Sequence, residues 1–137
     1  MKKLFTIILL TAYTLTLSGC VFYEDKPSPQ IEISSADLVD LKYCKYPDKE
    51  YYYADTQEEI TIFYELFSTA KPTTLPSVND SPYVETYYVL KTQDSRTFYL
   101  YETEGYFGLF KEWHLEFPYV GKYKITNAIA KKVVNLF

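Results

Sequence analysis

Residues 112–117 read EWHLEF, and their alternation decides what kind of fold this is. Trp113, Leu115 and Phe117 are apolar; Glu112, His114 and Glu116 are polar or charged. Successive side chains of a β-strand point to opposite faces. The pattern therefore predicts a strand with one face toward a core and a polar outer face that carries an exposed histidine. This strand ends the run Tyr106 to Phe117, which Glu104-Gly105 separates from an earlier strand over Arg96 to Glu102. Before that come a turn at Thr92 to Ser95 and a strand over Tyr83 to Lys91. In the other direction, Pro118 to Gly121 predicts a bend and Tyr123 to Ile125 a short strand. Thr126 then stands as the cap of a final helix, in which Ile129, Val133 and Leu136 form one stripe.

The first half of the chain adds a hairpin and a helix. In LVDLKYCKYPDKEYYYADT, residues 38–56, Val39, Leu41 and Tyr43 alternate with Asp40, Lys42 and Cys44. Pro47-Asp48-Lys49 is turn chemistry, and Tyr51-Tyr52-Tyr53 suits a returning strand. Thr56 and Glu59 have capping-box spacing, and Ile60, Phe63, Tyr64 and Phe67 follow as an apolar stripe. Lys71-Pro72 ends that helix, because the residue before a proline avoids helical geometry. PTTLPSVNDSP, residues 72–82, then reads as a long loop. The expected fold is α+β: a mostly antiparallel sheet of about five to six strands with one amphipathic helix packed on it and a short C-terminal helix. With 16 tyrosines and 9 phenylalanines, aromatic side chains take the sheet positions that valine and isoleucine fill elsewhere. A tyrosine there can bury its ring and leave its hydroxyl wet.

SVNDSP (Ser77 to Pro82), the paired-aromatic strands after it, and PYVGKY (Pro118 to Tyr123) carry a resemblance. They resemble a family of small, uncharacterised lipoproteins of low-GC Gram-positive bacteria, a domain of unknown function, over roughly residues 31–130. The resemblance implies an envelope protein and supplies no catalytic residue.

The N-terminal end points the same way. Lys2 and Lys3 precede an uncharged run from Leu4 to Tyr23, most apolar over Leu4 to Leu10, the layout of a secretory signal peptide. Leu17-Ser18-Gly19-Cys20 resembles the lipobox of bacterial lipoproteins. That likeness implies a diacylglyceryl group on the Cys20 thiol and cleavage just before it. The expected organisation is a signal peptide over 1–19, a tether over 20–30 containing Pro27 and Pro29, and one domain over 31–137. The protein would then act on the extracytoplasmic face of a membrane, held by two acyl chains where one would bind only marginally.

Charge and chemistry narrow the function classes. Without residues 1–19 the chain holds 12 basic and 18 acidic residues, a formal charge of −6, which argues against nucleic acid as a partner. Lys122, Lys124, Lys131 and Lys132 fall in an acid-free stretch and form a candidate basic patch. With Cys20 lipidated, Cys44 has no intramolecular partner and reads as a buried, unreactive thiol. The one histidine, His114, would have to serve any Cys–His or Ser–His catalytic pair, and no nucleophile motif accompanies it. Glu112, His114 and Glu116 share a strand face but span ~13 Å, too far for one ion. The four glycines are not clustered as a phosphate-binding loop requires. Hence no catalytic residue, cofactor or metal is expected. The expected function is a non-catalytic binding or accessory module for a protein, peptide or cell-wall partner; the alternative is an extracytoplasmic enzyme of unrecognised type. The loop over 72–82 with Asn79 and Asp80, beside Tyr83, Tyr87 and Tyr106, is the candidate contact patch.

Overall fold

A computed structural model of the chain describes residues 26–77, 79–105 and 108–137. Cys20 and the signal-peptide segment lie outside the described residues, as does Tyr106. Among the described residues the architecture is α+β, with seven antiparallel strands where about five to six were expected. In chain order they are β1 (Lys42–Tyr46), β2 (Tyr52–Tyr53), β3 (Lys71–Pro72), β4 (Tyr87–Lys91), β5 (Thr97–Glu104), β6 (Lys111–Phe117) and β7 (Gly121–Ile125). Two helices, α1 (Gln57–Thr69) and α2 (Asn127–Val134), complete the set, with a 3-10 turn at Ser35–Leu38. Across the sheet the order is β2-β1-β4-β5-β6-β7-β3.

The capping box that starts α1 has both of its bonds. The Glu59 N–H donates to Thr56 Oγ1 at 3.2 Å, and the Thr56 N–H donates to Glu59 Oε2 at 3.0 Å. The other carboxylate oxygen, Glu59 Oε1, accepts from the Tyr43 hydroxyl at 2.7 Å, tying the helix start to β1. The buried stripe of α1 is Phe63, Leu66 and Phe67; Tyr64, expected in it, is exposed, and Leu66 takes the inward position. In α2, capped by Thr126, the buried residues are Ile129, Ala130 and Val133. Both helices pack on one face of the sheet, against Tyr43, Leu90, Phe98, Leu100, Leu115 and Tyr123. Each such side chain removed from water contributes about 1.5–3 kcal/mol.

The unexpected strand is Lys71–Pro72. It pairs with β7 at the sheet edge, a position that tolerates proline because one side needs no N–H donors. This placement governs the chain's path. β3 lies at one edge, whereas β4, the next strand, lies beside β1. The intervening loop must travel past β7, β6 and β5, about 19 Å at ~4.8 Å per strand. It does so over the face that the helices leave open: Ser77 bonds to Glu116 of β6, and Val84 packs on Cys44, Tyr87, Val89 and Tyr101. The loop therefore covers part of the second side of the sheet, over β4 to β6. The strand that follows begins at Tyr87, not Tyr83.

Ser28 and Pro29 also touch the sheet. The Ser28 N–H donates to the Thr73 carbonyl at 2.8 Å, and the Tyr123 hydroxyl donates to the Pro29 carbonyl at 2.7 Å. Gly121 permits the approach, since a Cβ there would collide with the Ser28 side chain.

Candidate functional site

The helix-free face is organised by strand register. Tyr101 of β5 stands opposite His114 of β6, which stands opposite Lys124 of β7. One row along, Tyr99, Glu116 and Lys122 are aligned in the same way. The alternation in EWHLEF thus places His114 and Glu116 where expected, on the face opposite Leu115. The expectation of a solvated outer face is wrong. Glu116 is 1% exposed, with Ser77 of the loop from β3 against it, and His114 is 7% exposed.

A carboxylate in that position must be compensated. Glu116 Oε1 accepts from Ser77 Oγ at 2.6 Å, and Oε2 accepts from the Tyr101 hydroxyl at 2.7 Å. Lys122 Nζ lies 3.8 Å from Oε2. Ser77 Oγ in turn accepts the Tyr119 N–H at 3.2 Å, and the Tyr119 hydroxyl donates to Asp80 Oδ1 at 2.6 Å. Glu116 is thereby the anchor of a latch that holds the loop. Burial, reinforced by the neighbouring Glu116 carboxylate, pushes the Tyr101 phenol far above its usual range, so it keeps its proton and serves as a donor. Only the β5–β6 register puts Tyr101 on the same face as Glu116. Ser77 carries no local signal, because only the path of the loop brings it there.

His114 is held differently. Burial lowers its pKa; Glu112 opposes that shift, while Lys122 and Lys124 add to it. Its Nε2 is 3.8 Å from Glu112 Oε2, and its buried Nδ1 has no hydrogen-bond partner among the described residues. Glu112 is engaged by Lys124 Nζ at 2.7 Å, which holds its carboxyl below the usual range.

The structure does not bring the other candidates together. Cys44 is buried on β1, and β4 and β5 lie between it and His114 on β6. Three strand spacings make about 14 Å, beyond any nucleophile–base contact. Among the described residues no group of three or more His, Cys, Asp or Glu side chains is gathered as metal ligands. The basic stretch near the C-terminus is largely neutralised: Lys122 faces Glu116, Lys124 binds Glu112, and Lys132 binds Glu65 at 2.7 Å. Of the loop-side aromatics, Tyr87 is buried against Tyr46, ring centroids 4.4 Å apart, whereas Tyr83 is exposed and donates to Asn79 Oδ1 at 3.3 Å.

The class is therefore an α+β domain built on an open antiparallel sheet, with both helices on one face and a latched loop across the other. The chain belongs to the DUF5301 family, described as "Domain of unknown function (DUF5300)", whose model matches residues 31–124. The match takes in α1, the latch and the sheet as far as Lys124 in β7, and stops before α2. No curated protein and no solved structure matches the chain.

Proposed function

We propose that the protein is a lipid-anchored extracytoplasmic binding or accessory module with no chemistry of its own, carried on a diacylglyceryl group at Cys20. The anchor is supported by sequence: Leu17-Ser18-Gly19-Cys20 behind a basic, apolar start, as in the lipoproteins of low-GC Gram-positive bacteria that the chain resembles. With Ser28 and Pro29 bonded to the sheet, Val21 to Pro27 separate lipid from domain, about 26 Å at full extension.

One observation carries the binding reading. The polar groups of the latch satisfy one another, while Tyr46, Tyr51, Tyr52 and Tyr53 at the β1–β2 end of the sheet stay exposed. These exposed aromatics, Tyr52 on the helix side beside Tyr43, and Tyr46 and Tyr53 on the other side, flank the sheet edge with the make-up of a contact surface, here for a protein, peptide or cell-wall partner. The test has two arms. Cys20→Ala should leave the membrane fraction or persist as a longer precursor; unchanged mass and fractionation defeat the anchor. A photo-crosslinking residue at Tyr52 should capture one partner in intact cells, and the same residue at Glu58 on α1 should not. Equal capture from both positions defeats the surface.

His114 favours a second reading, an extracytoplasmic enzyme, through its buried and unpartnered Nδ1. That reading requires a turnover that a His114→Ala, Cys44→Ala double variant abolishes.

A further inference from the structure

Near the exposed tyrosines, a cleft of about 630 Å³ opens between the β1–β4 pair and the β4–β5 turn. Lys42, Lys91, Ser95, Thr97, Gln93 and Asp40 line it, with Tyr53 at its rim. Register places four of these residues in one row: Tyr53 is opposite Lys42, Lys42 is opposite Lys91, and Lys91 is opposite Thr97. Two lysines directly opposed on a sheet repel. The fold answers that problem elsewhere. Lys71 is opposite Lys124, but Lys124 is bound to Glu112 at 2.7 Å. Lys42 and Lys91 have no carboxylate within ion-pair distance among the described residues. Each instead lies over an aromatic ring, Lys42 Nζ at 5.6 Å from the Tyr53 centroid and Lys91 Nζ at 5.1 Å from that of Tyr51. A ring face positions an ammonium without neutralising it and leaves its N–H donors free on the other side.

We propose that this cleft binds a phosphate group, as a monoester or a diester. The Lys42 and Lys91 ammonium groups supply the charge, and the Ser95 and Thr97 hydroxyls supply further donors. A tetrahedral group with several oxygens matches donors arriving from β1, β4 and the turn, and lysine binds phosphate as a point charge. Asp40, the one carboxylate in the cleft, opposes the ligand; its Oδ2 accepts from Gln93 Nε2 at 3.4 Å. The site deepens the binding-module reading and rests on it for the partner, which would present phosphate at the cell envelope.

The test uses the full chain in a neutral detergent, followed by amide NMR during titration with sodium phosphate at constant ionic strength. Saturable shifts are expected at Lys42, Lys91, Ser95 and Thr97, with a Kd of about 1 mM. Lys42→Gln with Lys91→Gln should weaken binding by about tenfold or more. Asp40→Asn should tighten it, and asparagine tolerates the positive φ of that position, 56°. Shifts that sodium chloride reproduces, or that survive in the double lysine variant, overturn the site. Glycerol 3-phosphate and vesicles containing phosphatidylglycerol separate the sources: a response to the soluble ester supports the site, and a response to vesicles alone overturns it, because general surface charge would explain that. Phosphate binding with failed crosslinking at Tyr52 leaves the site and removes the partner surface; the converse result does the opposite.

Discussion

A carboxylate as enclosed as that of Glu116 would cost several kcal/mol without partners, and two hydroxyls and a lysine supply them. Tyr101→Phe leaves the carboxylate one donor short and should lower stability by about 1.5–3 kcal/mol in denaturant unfolding. In a Glu116→Gln background the same change should cost clearly less, since the bond is then to a neutral group. Equal costs in the two backgrounds would show that Tyr101 acts through packing alone. His114 gives a pH signature. Its folded pKa is depressed by burial, so the unfolded chain takes up a proton first as pH falls. Stability is then present above the ordinary imidazole range and is lost below it, between about pH 7 and 5. His114→Gln should flatten the melting temperature across that window; an unchanged slope would place the titration elsewhere. Neither burial could be read from EWHLEF, because alternation says which residues share a face and not what covers it.

Helix α1 was the most legible element, since its signals are local: a capping box over Thr56 to Glu59 and a stripe at helical spacing. Thr56→Ala should cost about 1 kcal/mol, and Thr56→Ser should be nearly neutral. At roughly 4–8 °C per kcal/mol the loss is plain in a melting curve, and three superimposed curves would contradict the cap. Burial tends to raise the pKa of Glu59, but hydrogen bonds from Tyr43, Thr56 and Asp55 outweigh it and hold the carboxyl below its ordinary range. The unfolded state therefore binds the proton first, and this stability is present above the ordinary carboxylate range and lost as pH falls through it. Glu59→Gln should reduce the acid loss measured from about pH 5 to 3; an acid limb identical to wild type would argue against the link. Strand β3 was illegible for the opposite reason. Two residues ending in proline carry no strand pattern, and only their partner on β7 makes them one.

For the whole molecule, the wrapping of the sheet matters most: α1 leads across one face, the loop returns across the other, and Ser28 and Pro29 close against the β3–β7 edge. Gly121→Ala tests that closure. Its Cβ must displace Ser28, at a cost of about 1–3 kcal/mol, and should expose residues 26–30 to proteolysis. Adding Ser28→Gly should restore part of the stability; no recovery would place the strain elsewhere. Periodicity alone was enough for the α+β class, the helices and their caps, the Tyr-rich strands, and the shared face of Glu112, His114 and Glu116, because each depends on neighbours close in sequence. The seventh strand, the partly covered second face, the Ser77–Glu116–Tyr101 latch and the opposed Lys42–Lys91 pair depended on the fold. Each is a meeting of residues far apart in the chain, governed by which edge β3 joins and by the register β4 takes beside β1.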